Sequence, residues 1–265
     1  MNTLLGHMGA ALARYLSHRT HRHDVLSATS GAQLLALLEP GDVLLVDGDT
    51  RISTAIKYLT QSSWSHAALY VGHAPFAGTD HADHCFVEAD VNDGVRSVGI
   101  EEFTQVPTRI CRAVGLCDAE RQALVRYVVA RIGERYDLRN VIDLARYLLP
   151  TPPVPARLRR KMIALGSGDP TRAICSTLIA QAFQSIDYPI LPIIEYRPAP
   201  TSVCPACVDE VLHIRDHSLY TPRDFDVSPY FDIIKPHLAE GFDFRHLVWD
   251  RAGKGSTHAA QTQTV

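Results

Sequence analysis

No apolar run in these 265 residues approaches the length, about 18 residues, that a bilayer-spanning helix needs. Net charge is nearly absent too. The 26 Lys and Arg against 29 Asp and Glu leave −3, so no overall positive field argues for a nucleic-acid partner. Cysteine is sparse, six in the whole chain, which excludes the disulfide scaffolds of small secreted domains. A secretory signal is not readable in residues 1–16: no early basic cluster, an apolar run broken by His7, and Arg14 ahead of any small-residue cleavage site. These absences lead to the expectation of a soluble protein in a reducing, cytoplasmic setting. What is present is ordinary for a globular chain, 46% apolar and 21% charged. The length suits one sizeable domain with additions.

Hydrophobic spacing outlines the elements. Residues 3–18 read as a short amphipathic helix ending in the basic, His-rich turn 17–23, which leaves contact with a membrane surface open. Residues 32–38 form a second helix, closed by Glu39-Pro40-Gly41. The run 41–47 reads as a buried strand, and 52–59 has helical spacing. The next strands are 64–72, with His66 on the face of Ala68 and Tyr70, then 85–89 with Glu88, then 95–98. Strand, turn, strand, turn, strand is an antiparallel meander. Helices are expected at 119–132 and 141–149, a stiff Pro-rich spacer at 150–155, a basic patch at 157–161 and extended chain at 188–194.

The segment from Arg172 to Phe183 is the one around which the chain is organised. Leu178, Ile179, Ala182 and Phe183 fall on one helical face, and Cys175 sits near the start with Ser176 and Thr177. A thiol in a first helical turn feels the positive end of the macrodipole, which favours thiolate. A start at Asp169-Pro170 would instead put Cys175 in the second turn. Upstream, His66 and Glu88 supply the residue types that a nucleophilic cysteine needs: a base, and a carboxylate to orient it. Each also has a plain reading, as a buried thiol, a core histidine and a turn cap.

Cys204-x2-Cys207, with His213 and His217 beyond, offers the ligand types of a structural zinc, although the central gap is shorter than in common zinc fingers. The group Asp80, His81, Asp83 and His84 reads either as a metal site or as a polar hairpin loop.

The strings GDVLL (41–45), SHAALYVG (65–72), FVEA (86–89), GERYD (133–137), ICSTLIAQAF (174–183) and YTPRDFDVSPYF (220–231) resemble the YiiX/YebB-like hydrolases. These are the circularly permuted, papain-like branch of the NlpC-type superfamily. The order, histidine strand before acidic strand before cysteine helix, fits that permutation. The resemblance implies an α+β, circularly permuted papain-like fold, an antiparallel sheet or small barrel packed against a nucleophile-bearing helix. It implies Cys175 as nucleophile, His66 as base, Glu88 as orienting carboxylate and Tyr136 lining the site. The organisation expected is an N-terminal helical extension at 1–37, the hydrolase domain at 38–250 and a disordered tail at 251–265. The activity expected is hydrolysis of an amide, ester or thioester through a thioester acyl-enzyme, needing no cofactor, on a small-molecule, lipid or peptide acyl substrate. The alternatives are acyl transfer to a lipid or amine acceptor, or a non-catalytic lipid-, partner- or zinc-binding module on the same fold. Oligomeric state is not readable.

Overall fold

The computed structural model describes residues 30–90, 93–135, 174–198, 207–236 and 243–246. The expectations at 3–18, 141–149, 150–155, 157–161 and 251–265 lie outside the described residues. Helices α1 (Gly31–Leu35), α2 (Arg51–Thr60), α3 (Asp118–Val129), α4 (Ile174–Gln184) and α5 (Pro222–Val227) accompany eight strands. These are β1 (Val43–Val46), β2 (His66–Tyr70), β3 (Phe86–Asp90), β4 (Gly94–Val98), β5 (Thr108–Ala113), β6 (Ile193–Pro198), β7 (Val208–His213) and β8 (Phe231–Ile234).

Six of the strands form one sheet in the order β4-β3-β2-β1-β5-β8, antiparallel throughout. Its two end strands are not paired with each other, so the architecture is an open sheet rather than a barrel. Strand β1 explains the continuous run Val43-Leu44-Leu45-Val46: all four residues are buried. Alternation sends Val43 and Leu45 to one face and Leu44 and Val46 to the other, and both faces are covered. On the first face Leu178, Ile179, Ala182 and Phe183 of α4, with Leu124 and Val128 of α3, pack over Ala67, Leu69 and Val87. On the second, Leu34 of α1, Leu38, Ile100 and Phe103 pack over Ala68, Tyr70 and Phe86. The part of the N-terminal extension that α1 represents is therefore docked on the sheet.

Two buried features pin the frame. The carboxylate of Asp42, fully buried, accepts from the backbone N–H of Glu39 (2.8 Å) and from Nε and NH2 of Arg112 (2.9 and 2.7 Å). Arg112 NH2 also donates to the carbonyl of Leu37 (2.6 Å), so one guanidinium ties the α1 connection to β5. At the tip of the β3–β4 hairpin, Gly94 has φ +78°, and a Cβ there would lie 2.3 Å from the carbonyl oxygen of Glu134. Only glycine fits both demands.

Strands β6 and β7 make a separate two-stranded ribbon, exposed along nearly its whole length. The extended stretch expected at 188–194 is thus only partly a strand: β6 begins at Ile193. Tyr188 instead packs on Phe183 and Phe231, while its hydroxyl donates to the carbonyls of Val114 (2.9 Å) and Tyr230 (2.6 Å).

Candidate active site

His66 opens β2, and the chain entering it is held on both sides. The backbone N–H of Gly48 donates to Ser65 Oγ (2.9 Å), and that hydroxyl donates to the carbonyl of Val46 (3.3 Å). Trp64 Nε1 donates to Asp226 Oδ2 (3.0 Å), and Arg109 donates to Oδ1 of the same carboxylate (2.5 Å). The Arg109 guanidinium lies over the Trp64 ring, 4.9 Å from its centroid. The start of the histidine strand is therefore fixed before its ring is considered.

Glu88 lies on the neighbouring strand opposite Ala68, two residues along from His66. The two side chains share one face of the sheet and meet diagonally over the small Ala68, a distance long side chains can span. Their contact is close, His66 Nε2 to Glu88 Oε2 at 2.7 Å. The Glu88 side chain is 3% exposed and that of His66 25%.

Helix α4 packs across β2 and β3, and its described span puts Cys175 in the first turn. There the thiol lies close enough to the His66 ring for each group to shift the other's titration. With Nε2 committed to Glu88, the ring nitrogen left for the sulfur is Nδ1. Burial pushes the Cys175 thiol up, but the positive charge and hydrogen bond of His66, the backbone N–H of Ala67 and the Ser176 hydroxyl bring it below its ordinary range. Burial works against a charged His66 as well. The Cys175 and Glu88 charges and hydrogen bonds overcome it and hold the imidazole well above its ordinary value. For Glu88, burial raises the value, while His66 and then Arg96 lower it to a net depression. The three groups together favour thiolate, imidazolium and carboxylate.

Two other cysteines provide the contrast. Cys85 and Cys111 are fully buried among apolar groups, and burial pushes both thiols up to about 12. Cys175 is also nearly closed off, 4% exposed, yet it shifts in the opposite direction. The cause is the His66 ring, not access to water.

Sequence reasoning did not single out Arg96 or Ala67, and named Ser176 only as a neighbour of Cys175. Arg96 stands directly opposite Glu88 on β4, with Nε and NH2 at 2.9 and 2.8 Å from Oε1. The signal for it was the Asp93-Gly94 turn, which sets the hairpin register that makes Glu88 and Arg96 partners. Tyr136 and Cys204 lie outside the described residues. Cys207 takes part in a disulfide, so its sulfur is not a thiolate ligand. His213 ends β7 with Nε2 2.7 Å from Glu195 Oε2, and His217 begins a short 3-10 turn. His84 bonds Ser97 and stacks on His81. Among the described residues no group of three or more His, Cys, Asp or Glu side chains is placed to hold a metal ion, and no helix is long and apolar enough to cross a membrane. A cavity of 490 Å³ between α3 and the turn after β2, lined by Pro40, Val71, Ala74, Pro75, Arg121 and Val125, does not include Cys175, His66 or Glu88.

Comparison with known proteins bears on this geometry. Residues 37–147 match the family model of the permuted papain-like amidase enzymes, YaeF/YiiX, C92 family, a span that ends before Cys175. No curated protein matches the chain. Among solved structures the chain is similar to the metalloprotein yiiX from Escherichia coli O157:H7, at 13% identity and a TM-score of 0.43, over 76% of this chain and 98% of that one. The matched stretch, residues 37–147, carries His66, Glu88 and Arg96, and it is this stretch that is similar to the permuted papain-like amidase family, YaeF/YiiX, C92.

Proposed function

We propose that the protein is a cysteine-dependent hydrolase of an acyl bond, with an amide the first choice and an ester or thioester the alternatives. Cys175 is the nucleophile, His66 the base and then acid, and Glu88 the carboxylate that fixes the ring. The observation that carries the reading is the His66 ring itself, bonded through Nε2 to buried Glu88 and close enough to Cys175 for its charge to lower the thiol's pKa.

In this reading the Cys175 thiolate adds to the carbonyl carbon and forms a carbon–sulfur bond, and the carbonyl oxygen takes up the negative charge. The backbone N–H of Cys175, at the positive end of α4, is one donor for that oxyanion. Collapse breaks the carbon–nitrogen bond, and the departing amine takes its proton from imidazolium His66. A water molecule then gives its proton to the neutral ring, attacks the thioester and releases the acid and the thiolate. Glu88 keeps the ring in one tautomer and balances its charge throughout. The roles are all filled by side chains, so the reading calls for no cofactor. Tyr136 keeps the substrate-lining role that the resemblance gives it. For location, the four free thiols among the described residues favour a reducing compartment such as the cytoplasm, and the disulfide at Cys207 pulls the other way.

The closed position of Cys175, 4% exposed, favours a second reading, the same site present but idle in a binding module. One experiment separates the two. The protein is incubated with p-nitrophenyl acetate and digested, and the acetyl mass is located by mass spectrometry. A hydrolase acquires the group on Cys175 and sheds it, loses the adduct in Cys175→Ser and forms it slowly in His66→Ala. Label on exposed Cys117 alone, with Cys175 untouched, would leave the idle-site reading standing. Adding a primary amine to the same incubation distinguishes transfer from hydrolysis, since transfer yields the acetylated amine.

A further inference from the structure

We propose that Arg96 is a positioning residue of the candidate site, holding Glu88 ionised and aimed so that the glutamate serves His66. The inference rests on the reading of Cys175, His66 and Glu88 given above. It is carried by a row of three side chains on three adjacent strands. His66 on β2 contacts Oε2 of Glu88 on β3, and Arg96 on β4 contacts Oε1 of the same carboxylate. Each carboxylate oxygen thus has one partner, and the guanidinium uses two nitrogens on its own. Two guanidinium nitrogens converge on Oε1 while the imidazole holds Oε2, so the carboxylate is gripped at both oxygens, where a single point charge on Oε1 would hold that end less firmly.

Burial gives the arrangement its purpose. A glutamate 3% exposed with only an imidazole beside it would drift toward the protonated form, and a neutral acid cannot balance imidazolium. Arg96 is one-third exposed, so the network reaches water through it. It is held from its outer side by Asp93 (3.3 Å) and Glu102 (3.5 Å), with Asp90 adding its charge nearby. The groups acting on Glu88 are thus His66 and Arg96, and behind them Cys175, Asp90, Asp93 and Glu102. The hairpin places Arg96 accurately, because Gly94 two residues earlier is locked against Glu134.

The test is the pH dependence of iodoacetamide alkylation at Cys175, followed by peptide mass spectrometry, in Arg96→Gln, Arg96→Lys and Glu88→Gln, with circular dichroism to show that each is folded. Loss of the cation lets Glu88 take up a proton at higher pH, which withdraws support from imidazolium and then from thiolate. In Arg96→Gln the acid limb of the profile is expected to move up by about one unit, roughly tenfold slower alkylation on that limb. Arg96→Lys restores the charge without the fork and returns the limb to near its wild-type place. A purely structural arginine would lower the unfolding midpoint and leave the limb where it was, and that result overturns the proposal. If the profile moves in Glu88→Gln but not in Arg96→Gln, only the role of Arg96 falls. If neither variant moves it, the reading of the site itself falls, and this inference with it.

Discussion

Glu88 Oε2 and His66 Nε2 stand 2.7 Å apart across two antiparallel strands, a contact that decides which end of the imidazole is free for chemistry. With Nε2 occupied, Nδ1 is the ring nitrogen free to serve Cys175, and the mutual charge effect of the two groups sets the pH behaviour of the pair. The lowered Cys175 value keeps thiolate present at pH values below the ordinary thiol range, and the raised His66 value keeps imidazolium present above the ordinary imidazole range. Their stability contributions have matching signs. That of His66 is complete below its unfolded value and is lost as pH rises through its folded one. Those of Cys175 and Glu88 are complete above their unfolded values and are lost as pH falls through their folded ones. Alkylation of Cys175 should therefore continue well below about pH 8.5 in the wild type. In His66→Ala it should fall roughly ten- to hundredfold at pH 6.5, since the thiol returns to an ordinary value or, being buried, exceeds it. Equal rates in the two proteins would mean that no working pair exists.

The other thiols give the same experiment an internal scale. Cys85 and Cys111, pushed up to about 12 and fully buried, should stay unlabelled at pH 8 until urea is added. Exposed Cys117 should label steadily, since iodoacetamide reaches it freely. The order expected at pH 7 is Cys175, then Cys117, with Cys85 and Cys111 silent. Labelling of Cys111 in the native protein would show that the sheet opens far more readily than its packing implies.

Much of this was legible in the chain because the carrying residues sit in strongly patterned segments. The apolar run 43–46 and the strands 66–70 and 86–90 read directly, as did helices 118–129 and 174–184, each close to its observed bounds. Cys175, His66 and Glu88 came from residue type, order and resemblance, and the structure brings those three side chains together. What was not legible depends on pairing over long distances. Strand β5, with Arg109 paired to half-buried Asp226 and Arg112 to buried Asp42, does not look like the interior of a sheet. Its charges make sense only once Asp226, 117 residues away, and Asp42, 70 residues away, are in place. Strand β8 is four residues long, and β7, Val208-Asp209-Glu210-Val211-Leu212-His213, lacks a regular alternation, both its faces meeting solvent. Arg96 was missed for the same reason: its role exists only in the hairpin register. The zinc reading rested on Cys204, Cys207, His213 and His217 as a set, and a disulfide at Cys207 is what that spacing could not reveal.

Removal of Arg112 should expose the cost of a buried carboxylate. Burial raises Asp42 above its ordinary value, and the Arg112 bonds and the Glu39 N–H only partly offset this. In Arg112→Met the ionised carboxylate would lose its guanidinium partner, with an expected loss of about 3–5 kcal/mol at pH 7. A raised carboxylate burdens the native state while ionised, and the burden eases as pH falls through the folded value. Urea unfolding of the variant should therefore approach that of the wild type at pH 5. A difference that stays constant between pH 5 and pH 7 would place the cost in packing instead of charge.

The underside of α4 tests whether the site depends on overall stability or on local contacts alone. Phe183 is fully buried, with its ring 5.4 Å from Tyr188, 5.2 Å from Phe231 and 6.3 Å from Phe225. Phe183→Ala leaves a cavity that neighbouring rings cannot refill, and should cost about 3–5 kcal/mol. Cys175 lies eight residues earlier on the same helix, about 12 Å along its axis, beyond the reach of a local repacking. The unfolding midpoint should drop sharply while the folded variant keeps the wild-type alkylation profile of Cys175. If the acid limb moves together with the midpoint, the first turn of α4 is not held by His66 and the strand beneath it, but by the tight packing of the whole helix.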